Sequence, residues 1–234
     1  MVEGVPVALI ETRDLMKVYG LGEVSIKALD GVSLVVEKGE FLVLAGRSGS
    51  GKTTLLNMLG ALDMPDSGTV RIHGEEYQQL SKNKRARFRL RHIGFVFQAY
   101  NLIRVLTARE NVSYVLELQG MAKAERLECA DKWLEEVGLG GFGNRRPDQL
   151  SGGQQQRVAV ARALAAAPDI VLADEPTANL DSHTASELLD LLVELNEAHK
   201  TTFIFASHDP GVISRAKRLI EMQDGRITND EIKG

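Results

Sequence analysis

Short apolar runs bounded by turn residues dominate both ends of this 234-residue chain, and a helical rhythm dominates its middle. Residues 32–36, 41–45, 70–72, 93–97, 170–173, 202–206 and 218–221 are runs of strand length rich in Val, Ile, Leu and Phe, and they predict strands. Several are apolar at every position rather than at every second one. That is the pattern of strands covered on both faces, as in a parallel sheet. Between residues 108 and 165 the period changes. Val112, Val115, Leu116 and Leu118, then Leu127, Trp133, Leu134 and Val137, recur at helical spacing. The cluster Gly-Leu-Gly-Gly-Phe-Gly at 138–143 interrupts the rhythm, and residues 154–165, of high helix propensity, resume it. The pattern predicts one α/β domain spanning 1–234. Residues 1–98 and 166–234 form its core and 99–165 a helical insertion.

Composition narrows the class. Hydrophobic residues make up 44% and charged residues 26% of the chain, the proportions of an ordinary globular protein. The formal net charge of −4 argues against nucleic acid as the main partner, because backbone binding needs a basic surface. The basic run at 82–92 (Lys-Asn-Lys-Arg-Ala-Arg-Phe-Arg-Leu-Arg-His) reads as a solvated helix face. Cys129 is the single cysteine, so no intrachain disulfide can form. No apolar run approaches the ~18 residues of a membrane span, and the start Met-Val-Glu-Gly-Val-Pro lacks the pattern of a signal peptide. The expectation is a cytoplasmic chain whose membrane contact comes through a partner.

Three stretches carry chemistry. Residues 46–53, Gly-Arg-Ser-Gly-Ser-Gly-Lys-Thr, fit the phosphate-cradling pattern G-x-x-x-x-G-K-[ST] between a strand and a helix. Gly46, Gly49 and Gly51 let the backbone approach an anion. The N–H groups of Ser48, Ser50 and Thr54, with their neighbours, form a nest at a helix N-terminus. Lys52 supplies a charge for the β- and γ-phosphates and Thr53 a hydroxyl for magnesium. In residues 170–175, Ile-Val-Leu-Ala-Asp-Glu, an apolar strand ends in two acids at the edge where open α/β sheets bind ligands. There Asp174 suits magnesium, and Glu175 suits an attacking water. Residues 150–154, Leu-Ser-Gly-Gly-Gln, offer a hydroxyl and N–H groups at another helix start, a second phosphate-binding surface or simply a cap.

Together these residues resemble the ATP-binding subunits of ABC transporters over nearly the whole chain. The resemblance implies a P-loop NTPase core with a parallel-rich sheet, a small antiparallel β subdomain and an inserted helical subdomain. It implies that ATP and Mg2+ are bound. It also implies an ATP-bound homodimer in which Ser151, Gly152, Gly153 and Gln154 of one copy complete the site of the other. Tyr19 matches the aromatic that stacks on adenine. Gln98 matches the glutamine that meets magnesium and water and relays to the membrane partner. Asp181, in Asn-Leu-Asp at 179–181, matches the loop crossing the dimer interface, and His208 the histidine that contacts the γ-phosphate. Residues 55–68 (Leu-Leu-Asn-Met-Leu-Gly-Ala-Leu-Asp-Met-Pro-Asp-Ser-Gly) are similar to the branch of lipoprotein-releasing, macrolide-exporting and cell-division ATPases. Such subunits sit on the inner face of the membrane with an integral membrane permease. Arg47 and Arg104 depart from the prolines common at their positions. The first position contributes backbone and tolerates the change, whereas the second lies near the expected permease-docking region. A DNA-repair relative would carry a long coiled-coil insertion, absent here. A ribosome-acting one would usually carry two such domains.

Overall fold

The computed structural model describes residues 8–21 and 24–233; the first six residues, read above for a signal peptide, lie outside them. In chain order the elements are β1 (Ile10–Leu21), β2 (Val24–Val36), β3 (Phe41–Ala45), α1 (Lys52–Leu59), β4 (Ser67–Ile72), β5 (Glu75–Glu76), α2 (Lys82–His92) and β6 (Ile93–Phe97). There follow α3 (Ala108–Leu118), α4 (Lys123–Glu136), α5 (Gly152–Ala165), β7 (Ile170–Asp174), α6 (Ser182–His199), β8 (Thr202–Ser207), α7 (Pro210–Ser214), β9 (Arg218–Gln223) and β10 (Arg226–Ile232). They form two compact units, Met1–Ala86 with Thr202–Gly234, and Arg87–Thr201. The α/β class expected from the sequence is observed, with a parallel sheet, a small antiparallel sheet and helices.

The first unit holds two sheets. Strands β2, β1, β4 and β5 lie antiparallel in that order. Strand β3 lies between β8 and β9, parallel to both, and β10 closes the edge antiparallel to β9. Every residue of β3 and β8 is buried, as their unbroken apolar runs predict. Phe41 packs on Phe205 with ring centroids 4.6 Å apart. Arg218 anchors the sheet edge through Glu40 (3.0 Å) and Asp230 (2.7 Å). These bonds, led by Asp230, hold its guanidinium firmly protonated despite burial. The hairpin between β9 and β10 is fastened to the loop before α1 and to β2. Gly225 N–H donates to the Ser50 carbonyl at 3.1 Å, and Arg226 pairs with Asp30 at 2.5 Å.

In the second unit β6 and β7 pair in parallel from Ile93↔Ile170 to Phe97↔Asp174. Helix α5 covers them. Its Ala163 carbonyl lies where a Cβ on Gly94 would have to sit. Helices α3 and α4 pack on α5 through Val112, Leu116, Ala130, Leu134, Val158 and Ala161, all buried. Leu118, placed on the apolar stripe by its spacing, is 55% exposed because it falls at the last turn of α3, beyond the packed face.

Candidate functional site

The first unit carries the phosphate-loop residues as the sequence predicts. The chain leaves the buried β3 at Ala45 and turns sharply into α1. Gly46 has φ 154° and Gly51 φ 103°. A Cβ on Gly46 would run into the Met222 carbonyl and Ser50 Oγ, and one on Gly51 into the Ala28 carbonyl. Glycine is therefore required at both turns by the protein's own packing. Lys52 is nearly buried, and its ammonium curls back to donate to the carbonyls of Gly46 (2.7 Å) and Arg47 (3.1 Å). The Arg47 carbonyl also accepts from Ser50 N–H at 3.1 Å. Arg47 thus serves this loop through its backbone, and its side chain is exposed.

The loop carries the marks of an anion receptor. Helix α1 starts on Gly51 with no side-chain cap and no acid in its first turn, which leaves the positive end of the helix open. Ser50 Oγ is buried without a hydrogen-bond partner among the described residues, a costly state for a hydroxyl unless something arrives to meet it. An open cavity of about 730 Å³ adjoins the loop, lined by residues 46–50 together with Glu221, Met222, Asp224 and Thr228. A nucleoside triphosphate fits this donor set. His208 is exposed just past the end of β8, and Ser207 Oγ before it accepts from Asp209 N–H at 3.1 Å.

Tyr19 lies on β1 and is 37% exposed. Its phenol donates to Asp63 Oδ2 at 3.0 Å, and the Lys17 ammonium stands 5.2 Å from the ring centroid. Burial first, then the Asp63 carboxylate, hold the Tyr19 hydroxyl above its ordinary pKa.

The second unit gathers the remaining residues. Asp174 ends β7, and Glu175 follows with φ 45°. A non-glycine residue in that region stores of order 1–3 kcal/mol of backbone strain, which the surroundings must hold. The restraint comes from Gln156 on α5, fully buried, whose Nε2 donates to the Pro176 carbonyl at 2.7 Å and the Phe97 carbonyl at 3.4 Å. One side chain thus joins the ends of β6 and β7. Gln98 follows β6 with an exposed side chain, and its carbonyl accepts from Asn179 Nδ2 at 2.9 Å. Asp181 caps α6, with Oδ1 accepting from His183 N–H (3.1 Å) and Thr184 N–H (3.0 Å). The Thr184 N–H foremost holds this carboxyl below its usual range.

Ser151 caps α5 in a closed capping box. Its Oγ accepts from Gln154 N–H at 3.3 Å, and Gln154 Oε1 accepts from Ser151 N–H at 3.0 Å. The glycines that follow also have packing reasons. A Cβ on Gly153 would meet Thr184 Cγ2, and one on Gly152 would lie 2.9 Å from the Tyr100 hydroxyl.

Sequence reasoning passed over Gln156, Asp63 and Asn111. The Asn111 side chain is fully buried and binds the backbone of Ile103, Leu106 and Thr107. It fixes the turn that presents Arg104 and the exposed Val105. Polarity at a core position of the apolar stripe was its only local signal.

The chain as a whole is similar to known proteins. The model of the ABC transporter family matches residues 29–178. The chain is 48% identical over 231 residues to the lipoprotein-releasing system ATP-binding protein LolD of Anaeromyxobacter dehalogenans, covering 98% of this chain and 97% of that protein. It is 48% identical over 222 residues to the macrolide export ATP-binding/permease protein MacB of Hyphomonas neptunium, covering 95% of this chain but only 34% of that longer protein. A solved ATP-binding cassette, dimeric in a post-hydrolysis state and bound to ADP and Pi, superposes with a TM-score of 0.88. It is 42% identical, and the match covers 96% of this chain and 99% of that one.

Proposed function

The chain belongs to the ABC transporter family as an ATP-binding, ATP-hydrolysing cassette, and from that premise we propose that two copies close head to tail around two ATP molecules to drive a membrane permease. The observation that carries this reading is the pair of serine-glycine helix starts, an open one behind Ser50 and a capped one behind Ser151, on different compact units. A single triphosphate needs only one such cradle, and a second becomes useful when another copy supplies it. The solved cassette that is dimeric and bound to ADP and Pi supports the pairing of two copies.

In this reading Gly46, Ser48, Gly49, Ser50, Gly51 and Thr54 present N–H groups to the phosphates, and Lys52 exchanges its loop carbonyls for phosphate oxygens. Tyr19 stacks on the base. Mg2+ held by Thr53, Gln98 and Asp174 would neutralise charge building on the phosphate oxygens. Glu175 accepts a proton from the attacking water, in a backbone pose kept in place by Gln156. His208 steadies the γ-phosphate. Ser151, Gly152, Gly153 and Gln154 approach it from the other copy, and Asp181 lies at the dimer contact. Residues 1–98 and 166–234 act as the catalytic core and 99–165 as the arm toward the permease.

No helix among the described residues is long and apolar enough to cross a membrane. A permease of the kind named in the macrolide-export relative supplies the path, and the cassette docks on the inner face of that membrane. The work done is export, lipoprotein release or force transmission.

The test is Glu175→Gln. Steady-state hydrolysis should fall by ~10²–10⁴, the usual size of a general-base contribution, while ATP still binds and drives the chain from monomer to dimer in light scattering. Hydrolysis at the parental rate would remove Glu175 from the mechanism. A monomer that turns over ATP at full rate would remove the head-to-tail dimer.

A further inference from the structure

Asp63 lies just beyond the C-terminal end of α1, the helix whose first residue is Lys52. It is tied back to that helix by the main chain, with Leu62 N–H and Asp63 N–H donating to the Asn57 carbonyl at 2.9 and 3.3 Å. The buried Tyr77 adds a hydroxyl donating to the Asp63 carbonyl at 3.4 Å. Its carboxylate works through both oxygens, and the Lys17 ammonium also stands 3.1 Å from Oδ2. Oδ1 accepts from Met64 N–H at 2.7 Å and from Lys17 Nζ at 3.2 Å, and Oδ2 accepts from the Tyr19 phenol at 3.0 Å. Burial pushes this carboxyl up, but the Met64, Lys17 and Tyr19 bonds outweigh it and hold the group below its usual range.

Lys17 is itself fixed by the Met64 carbonyl at 2.7 Å, and it stands by the Tyr19 ring as a cation beside a π-face. An aromatic ring on an exposed strand end turns freely unless something holds it. Here the phenol is tethered and the ammonium stands 5.2 Å from the ring centroid, yet the residue remains 37% exposed. A ring held in this way forms a stacking platform before any ligand arrives, which lowers the ordering cost of binding.

We propose that Asp63 is a positioning residue for base recognition: through the Tyr19 hydroxyl and Lys17 it sets the platform on which the adenine of ATP stacks. It thereby locks base and phosphate handles to one helix, with Lys52 at the start of α1 and Asp63 just past its end. A triphosphate carrying no base would not sense it. The proposal rests on Tyr19 being the base platform.

Calorimetric titration of the full chain with ATP and with inorganic tripolyphosphate tests it, the ratio of the two affinities being the readout. Tyr19→Ala should lower ATP affinity roughly tenfold or more, the range of one base–aromatic stack, without touching tripolyphosphate. Asp63→Asn takes the charge from this bond and Tyr19→Phe takes its donor. Each should lower the ratio about three- to tenfold, the worth of one ordinary net hydrogen bond. The double variant should be no worse than either single one. An unchanged ratio in Asp63→Asn, alongside a collapsed one in Tyr19→Ala, would overturn the role of Asp63 and leave the base platform standing. Equal loss for both ligands in Asp63→Asn would make it a structural residue only. An unchanged ratio in Tyr19→Ala would sink the platform, and the role of Asp63 with it.

Discussion

Two helices in this chain open at a serine-glycine step, and they treat their first turns in opposite ways. At α1 the sequence is Ser50-Gly51-Lys52. Gly51 caps the helix with no side chain, and the Ser50 hydroxyl is buried without a partner among the described residues. At α5 the sequence is Ser151-Gly152-Gly153. There the Ser151 hydroxyl and the Gln154 side chain close a reciprocal box. A helix N-terminus exposes four N–H groups that want acceptors. The first helix leaves them for a ligand, and the second satisfies part of them internally. The first is thus a site in a single copy. The second is a stable cap that, in the head-to-tail reading, another copy would recruit.

The largest effect that tests this contrast belongs to Lys52→Ala. The ammonium now rests on the Gly46 and Arg47 carbonyls, a charge parked where phosphate oxygens would replace it. Removing it should cut hydrolysis by roughly 10²–10³, the scale of one preorganised charge donor at a reacting centre, with weaker binding of both ATP and tripolyphosphate. A rate within about threefold of the parent would mean that α1 is not the phosphate anchor, and the contrast would collapse.

The intermediate effect is that of Ser151→Ala. It removes a cap, so the nucleotide-free chain should lose ~1 kcal/mol of stability, seen as a lower melting temperature. Nucleotide affinity of the monomer should not change, while turnover at protein concentrations that permit dimers should fall steeply. Turnover at the parental rate with the melting shift present would make Ser151 a cap and nothing more.

How much of this was legible in the chain depends on distance along it. Strands β3, β7 and β8 read clearly because each is apolar at nearly every position, and burial on both faces demands that. Strand β1 did not. Residues 10–21 mix Glu11, Arg13, Asp14 and Lys17 with apolar positions, and register shifts between Thr12 and Met16 break the two-residue alternation. Strand β10 was missed for the same reason: an edge strand bearing Arg226, Asn229, Asp230 and Glu231 has no apolar signature. The site divides likewise. Gly46, Lys52, Glu175 and Ser151 sit in contiguous motifs whose spacing encodes their geometry. Asp63 and Gln156 do their work across long stretches of chain, on Tyr19 and on Phe97 with Pro176, and no local pattern reveals such a contact.

The smallest effect is also the one that separates the two helix starts by sign. Ser50→Ala deletes a buried hydroxyl that has no partner among the described residues, so the folded chain sheds an unmet polar group. Without nucleotide, the variant should be as stable as the parent or more stable by up to ~1 kcal/mol. That is opposite in direction to Ser151→Ala, although the substitution is the same. With ATP present the order should reverse, the nucleotide raising the melting temperature of Ser50→Ala by less than that of the parent. Melting curves of both alanine variants, with and without ATP, measure this directly. If Ser50→Ala destabilised the nucleotide-free chain as much as Ser151→Ala does, its hydroxyl would be part of the resting fold and the first helix start would be no more open than the second.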